Sequence, residues 1–169
     1  MKSHYLPSLA NITTFIFDVD GVLTDGKILF MPDGEALRTI NTKDGFAIFN
    51  AVEAGYRFLA ITRAGSPTLK AALDKLGFED VALRVMDKLD KYEEFQHIYE
   101  FKDQEVLYMG DDLPDLCVMR KAAVAACPQD AAHEIREYCS YISPFKGGSG
   151  CVRDVIEKVM RAQNKWSEL

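Results

Sequence analysis

The stretch Phe15-Ile16-Phe17-Asp18-Val19-Asp20-Gly21-Val22-Leu23-Thr24-Asp25 constrains this chain more than any other. Its first half is an apolar, β-leaning run that reads as a buried strand, and it ends abruptly in two aspartates separated by one residue. Carboxylates resist burial unless they bind something positive. Gly21 allows a tight turn directly after them, so that side chains and neighbouring amides can crowd around one small ligand. A parallel strand that delivers acidic groups at its C-terminal end, into a glycine-containing loop, is how an open α/β sheet builds an active site.

The rest of the chain reads as the sheet that such a strand needs. Residues 27–31 and 35–41 flank Pro32-Asp33-Gly34, a turn in which Pro presets φ and Gly accepts φ > 0, so 27–41 is expected to be a β-hairpin carrying Ile28, Phe30, Leu37 and Ile40. A hairpin alone is marginal in water, so this one is expected to pack on something, such as another subunit. Helix is expected over 44–54, with Phe46, Ile48, Phe49 and Val52 on its apolar side, and a buried strand over 56–62. Ser66, Pro67 and Gly77 punctuate a helix over 67–76 as N-cap, first helical residue and stop.

A short strand over 81–85 follows, then a helix capped by Asp87 and running to about 101, with Leu89, Tyr92, Phe95, Ile98 and Tyr99 at helical spacing. A third strong strand over 105–109 breaks at Gly110-Asp111-Asp112-Leu113-Pro114-Asp115. Helix 116–122, strand 123–127, helix 131–137, strand 138–143 and a terminal helix 152–163 complete the pattern, the last preceded by Gly147-Gly148-Ser149-Gly150. Strands alternating with helices imply right-handed crossovers and helices on both faces, a three-layer, doubly wound parallel α/β sheet. At 169 residues, with 48% hydrophobic residues, the chain is expected to form one domain over 1–169.

Charge narrows the partners. The net charge of −6, without a Lys/Arg run, argues against nucleic acid and anionic membrane. No stretch holds the ~18 consecutive apolar residues of a membrane span, and a cytoplasmic protein is expected. Cys117, Cys127, Cys139 and Cys151 form no C-x-x-C pair and read as reduced thiols.

In a doubly wound sheet the strand ends Asp18/Asp20, Thr62 and Gly110/Asp111 reach one edge, and Lys88 can reach it from the start of its helix. Carboxylates at Asp18, Asp20, Asp111, Asp112 and Asp115, with no nearby His or Cys, make a hard oxygen site suited to Mg²⁺ rather than zinc. Thr62 offers a hydroxyl and Lys88 a point charge, both suited to phosphate oxygens. Two carboxylates and a phosphate dianion total about −4 against about +3 from Mg²⁺ and Lys88, which backbone amides can complete. Carboxylate, hydroxyl, lysine and metal on one phosphate constitute a phosphoryl-transfer site. Asp112 and Asp115 are read equally as helix caps or as partners that orient the ligands.

These motifs, in this order, resemble the four motifs of the haloacid dehalogenase superfamily of phosphohydrolases. The resemblance implies that Asp18 is the nucleophile and Asp20 the general acid and base. It implies further that Thr62 and Lys88 hold the phosphoryl oxygens, and that Asp18, Asp111 and the backbone carbonyl of Asp20 ligate Mg²⁺. An acid at Asp20 must keep a proton near neutral pH, whereas a free Asp titrates near ~3.9, and crowding is expected to supply the shift. No room for a cap domain lies between the motifs. The layout resembles the capless subgroup that includes phosphatases of 3-deoxy-D-manno-octulosonate 8-phosphate, a step of lipopolysaccharide assembly, in which hairpins build a homotetramer.

That resemblance extends from about residue 12 to 166. It takes in Asn41-x-Lys43-Asp44-Gly45-Phe46 and Gly147-Gly148-Ser149-Gly150-Cys151-Val152-Arg153, and it leaves Thr24, Arg63, Gly148 and Arg153 as substrate-contact candidates. One departure is Thr62-Arg63-Ala64, where the subgroup usually has glycine after the threonine. A different sugar-acid phosphate, such as a nine-carbon 9-phosphate, is therefore the alternative substrate. A phospho-aspartate receiver module and a silent oligomerisation domain are the alternatives from other classes; the second aspartate of the Asp18-x-Asp20 pair argues against the first, and the intact set Asp18, Asp20, Lys88 and Asp111 against the second.

Overall fold

The computed structural model describes residues 3–166. A 3-10 segment (Ser3–Asn11) leads into β1 (Thr14–Phe17), then the hairpin β2 (Leu29–Phe30) and β3 (Ala36–Leu37). There follow α1 (Thr42–Glu53), β4 (Arg57–Ile61), α2 (Pro67–Leu76), β5 (Asp80–Ala82), α3 (Lys88–Tyr99) and β6 (Val106–Met109). The chain ends with α4 (Leu116–Met119), β7 (Val124–Cys127), α5 (His133–Tyr138), β8 (Tyr141–Ile142) and α6 (Cys151–Ala162). The main sheet has six strands in the order β5-β4-β1-β6-β7-β8, and every pair is parallel.

The chain builds outward from β1 through β4 to β5, then returns to β6 on the other side. β1 and β6 therefore flank the switch point, where the helices leave on opposite faces and a crevice opens at the strand ends. Register makes that crevice functional: Phe17 pairs with Ala60 of β4 and with Met109 of β6, so Asp18, Thr62 and Gly110-Asp111 leave the sheet at nearly one level. Strand alternation explains the two cores. Phe15 and Phe17 stack with Phe58, at 5.0 and 6.2 Å between centroids, under α1, α2 and α6. Ile16, Leu59, Ile61 and Tyr108 point the other way, against Tyr92 and Phe95 of α3.

Local signals set several boundaries as expected. Ser66 accepts from Leu69 N–H, Pro67 opens α2, and Gly77 closes it at φ 103°. Asp87 caps α3 through Leu89 and Asp90 N–H. Other expectations are corrected. The hairpin strands have only two residues each: Met31 N–H donates to Glu35 C=O at 2.8 Å and Gly34 N–H to Met31 C=O at 2.9 Å to close the turn, and the paired residues are Leu29 with Leu37 and Phe30 with Ala36. On α1, Phe46 and Phe49 are exposed, whereas Asp44, Ala47, Ile48 and Ala51 face the core. Small residues let α1 lie close to α6, and Phe46 flanks that seam beneath Arg153. Ile98 of α3 is likewise exposed, while Lys88 is buried. α4, β5 and β8 are shorter than expected and α5 is displaced toward Tyr138, since edge elements carry little periodicity. All four cysteines are free thiols.

Candidate active site

Asp18 follows β1 and keeps the sheet pattern for one more residue, its N–H donating to Met109 C=O at 3.0 Å. Its Oδ1 accepts from Val19 N–H at 2.7 Å and pairs with Lys88 Nζ at 3.0 Å. Lys88 is delivered by the first turn of α3 and is only 4% exposed. Burial alone would lower its ammonium, but the flanking Asp18 and Asp115 carboxylates outweigh that and raise it. For Asp18, burial and then the charge of Asp115 push the carboxyl up to about 6, against the pull of Lys88.

Asp115 is the fixed post of the cluster. Fully buried, its Oδ1 accepts from Lys88 Nζ at 2.7 Å and Tyr108 O–H at 2.6 Å, while Oδ2 accepts from Asp111 and Asp112 N–H at 3.1 and 3.3 Å. A carboxylate has about four acceptor sites, so Asp115 has none left for a ligand. Tyr108 was not a sequence candidate. Nothing distinguishes it from any other aromatic residue in a strand until Asp115 folds back beneath it. Asp112 caps the 3-10 turn that follows, accepting from Leu113 N–H at 2.8 Å, and its side chain is exposed.

Asp111 sits directly against Gly21. A Cβ on Gly21 would lie 1.9 Å from Asp111 Oδ2, and Gly21 holds φ +90°. Burial first, then Asp18, Asp115 and Asp112, raise the Asp111 carboxyl to about 8. Carboxylate oxygens of Asp18, Asp111 and Asp115 all lie within 4.8 Å of one another. Three acids with one buried lysine leave the site short of positive charge, which a hard divalent cation would supply. Because Asp115 is saturated, Asp18 and Asp111 are the carboxylates of this cluster with capacity for it.

The carboxylate of Asp20 is gripped by Arg38, whose Nε and Nη2 donate to Oδ1 and Oδ2 at 2.6 and 2.9 Å. The Thr24 hydroxyl donates to Oδ1 at 3.3 Å. Thr24 is fully buried and so serves Asp20 from inside. Arg38 was also missed by sequence reasoning, since a basic residue on a hairpin limb reads as solvent-facing.

Asp18, Asp20, Thr62, Arg63, Ala64, Lys88, Asp112, Pro114 and Asp115 line one cleft of about 180 Å³. Thr62 is buried, its Oγ1 accepting from Ala64 N–H at 3.1 Å, which leaves the hydroxyl proton for a ligand. Arg63 is exposed at the rim. Gly148 and Arg153 lie elsewhere. A Cβ on Gly148 would strike the backbone of Thr24 and Asp25 at 2.6–2.7 Å, and Gly148 N–H donates to Val22 C=O at 2.9 Å, so this loop buttresses the acidic loop. Arg153 bonds Glu157 at 2.5 Å and lies over Phe46 and Trp166, while its N–H is capped by Asp44 at 2.8 Å.

No family model matches the chain. A protein of Yersinia pestis named 3-deoxy-D-manno-octulosonate 8-phosphate phosphatase KdsC is 33% identical over 156 residues, covering 92% of this chain and 83% of its own. The chain belongs to the 3-deoxy-D-manno-octulosonate 8-phosphate phosphatase family. The crystal structure of the Yersinia pestis phosphatase superposes with a TM-score of 0.94 at 31% identity, covering 96% of this chain and 88% of that one. Another family member, from Moraxella catarrhalis, was solved with magnesium, phosphate and the sugar acid KDO; it has a TM-score of 0.91 at 28% identity and covers 95% of this chain and 92% of its own. The fold is thus the Rossmann-like core of the haloacid dehalogenase superfamily. In this family setting, the acid cluster of Asp18 and Asp111 is the feature that fits a magnesium ion.

Proposed function

We propose that this chain is a Mg²⁺-dependent phosphomonoesterase that removes phosphate from 3-deoxy-D-manno-octulosonate 8-phosphate through an aspartyl-phosphate on Asp18. The observation that carries the reading is the convergence of Asp18, Lys88, Thr62 and Asp20 on one cleft in a member of this family. Bound Mg²⁺, held by Asp18, Asp111 and the backbone carbonyl of Asp20, would offset charge on the phosphoryl oxygens.

Asp18 acts as the nucleophile: a carboxylate oxygen bonds to phosphorus as the bond from phosphorus to the ester oxygen breaks. Lys88 Nζ, fixed at 3.0 Å from Asp18 by Asp115, lowers the repulsion between carboxylate and phosphate dianion. Asp20 gives its proton to the departing sugar alkoxide, then takes one from water, whose oxygen attacks the phosphorus of the aspartyl-phosphate. Phosphate leaves and the Asp18 carboxylate returns. Thr62 donates its hydroxyl to a phosphoryl oxygen.

The chain is further proposed to act as a cytoplasmic homotetramer in lipopolysaccharide assembly, with the whole of 1–169 as a single domain. An exposed apolar hairpin, with Leu29 64% and Phe30 73% exposed, supports assembly through that element. A monomeric mass at micromolar concentration would contradict it. Among the described residues no helix is long and apolar enough to cross a membrane.

The test is phosphate release with Mg²⁺ from the eight-carbon acid 8-phosphate, a nine-carbon acid 9-phosphate and hexose phosphates, with Asp18→Asn as control. A kcat/KM at least ~10-fold higher for the eight-carbon acid, about 1.4 kcal/mol, is expected. Better turnover of another phosphate would move the substrate while keeping the chemistry. A long-lived acyl-phosphate without turnover would favour a receiver module, and full activity in Asp18→Asn would refute the nucleophile.

A further inference from the structure

Arg38 has no role in the chemistry above, yet it is the best-placed side chain of the hairpin. Residues 28–35 and Leu37 are exposed, whereas the Arg38 side chain is only 7% exposed. The hairpin thus inserts one long side chain into the molecule, and its head meets Asp20. Nε and Nη2 span both carboxylate oxygens at 2.6 and 2.9 Å, and Nη1 donates to the carbonyl of Ala36 at 3.1 Å. With the planar fork anchored at both ends, the plane and direction of the Asp20 carboxylate are set as well. The Thr24 hydroxyl at 3.3 Å is the other side-chain contact on Asp20 among the described residues.

Anchoring the hairpin does not by itself require this pair, because Thr68 of α2 also holds Glu35 of the hairpin at 2.9 Å. With Oδ1 accepting from Arg38 Nε and the Thr24 hydroxyl and Oδ2 from Arg38 Nη2, one acceptor site on Oδ2 stays open to serve an ester oxygen, and its direction is fixed by the pair. Misplacement by about 1 Å can cost on the order of 10²-fold in rate.

We propose that Arg38 is a positioning residue for the reaction: it fixes the Asp20 carboxylate in the direction from which Asp20 serves the leaving oxygen, which makes the hairpin part of the catalytic apparatus. The proposal rests on the reading of Asp20 as the acid. Arg38 acts through Asp20 and touches neither phosphorus nor the leaving group.

A double-mutant cycle tests it. The wild type, R38M, R38K, D20N and R38M/D20N are compared by kcat/KM with Mg²⁺ on the eight-carbon sugar-acid 8-phosphate and on p-nitrophenyl phosphate, whose leaving group departs without a proton. R38M is expected to lose at least ~30-fold on the sugar phosphate, mainly in kcat, and at least ~10-fold less on the aryl ester. R38K should not restore activity, because one ammonium cannot hold both oxygens. In the D20N background R38M should change kcat/KM by less than ~3-fold, since the residue it positions is already disabled.

An equal loss in both backgrounds would overturn the proposal, because Arg38 would then act on the substrate or on assembly. An undiminished R38M would overturn it too. If D20N itself shows no preferential loss on the sugar phosphate, the acid reading of Asp20 fails first and the proposal with it. Thermal melting and solution mass of each variant exclude misfolding, and R38K carries the same cycle should R38M not fold.

Discussion

Replacing Gly21 with alanine adds one carbon atom at the tightest point of the site. The new Cβ would sit 1.9 Å from Asp111 Oδ2 and 2.4 Å from its Cγ, whereas ordinary contact begins near 3.4 Å. Asp111 must therefore retreat by about 1.5 Å, the difference of those distances. A second cost is conformational: φ is +90°, and a left-handed backbone costs an L-residue ~1–2 kcal/mol. For a chain of this size that lowers Tm by roughly 2–8 °C, so the protein still folds.

Activity should suffer far more than stability. Asp111 is one of the two carboxylates with capacity for the cation, and a shift of that size should cost on the order of 10²-fold in kcat/KM at fixed Mg²⁺. The assay is a Mg²⁺ titration of phosphate release beside a melting curve, with Asp111→Asn as reference. Gly21→Ala should resemble Asp111→Asn, needing more metal for less activity. Wild-type Mg²⁺ dependence in Gly21→Ala would refute the assignment of Asp111, and an unfolded protein would refute the estimate of strain.

Three further outcomes follow from the same geometry. Tyr108→Phe removes a buried 2.6 Å hydrogen bond to Asp115, so stability should fall by ~1–3 kcal/mol in a denaturant titration, while the sugar-phosphate KM stays within a few-fold. In metal-free protein the carboxyls of Asp18 and Asp111 are raised to about 6 and about 8, so the folded state binds more protons than the unfolded state from about pH 4 upward. Stability should then fall as pH rises through that window, and stabilisation by Mg²⁺, which displaces those protons, should grow; melting curves with and without Mg²⁺ at pH 5 and 8 that show the opposite trend would contradict the charge balance. Arg63→Ala should raise KM selectively for the preferred sugar acid if the rim guanidinium meets its carboxylate, and an unchanged KM would assign that side chain to solvent.

The sheet and much of the site were legible in residue order. Phe15–Phe17 ending in Asp18, and Val106–Met109 ending in Gly110-Asp111, each announce a buried strand that meets polar chemistry at its end, so the crevice followed from parallel pairing alone. Ser66, Pro67 and Gly77 marked α2 because capping is local. The faces of α1 were misread because Phe46 and Phe49 share a helical stripe whose exposure depends on where α6 packs. Gly148 and Arg153 do not line the cleft, and the sequence could not show this: a glycine loop near a site in sequence can face the ligand or support the loop that does.

By itself, then, the sequence determined the elements, the parallel sheet and the set of groups that meet at its edge, because strand periodicity, caps and strand-end acids are properties of neighbouring residues. Tertiary structure decided how those groups are held. That Asp115 is saturated by Lys88, Tyr108 and two amides, that Asp111 needs the bare Cα of Gly21, and that Arg38 reaches back to Asp20 are contacts between residues distant in the chain or folded back on themselves. Hydrogen bonds and steric contact act over a few ångströms, so only the packed chain specifies them.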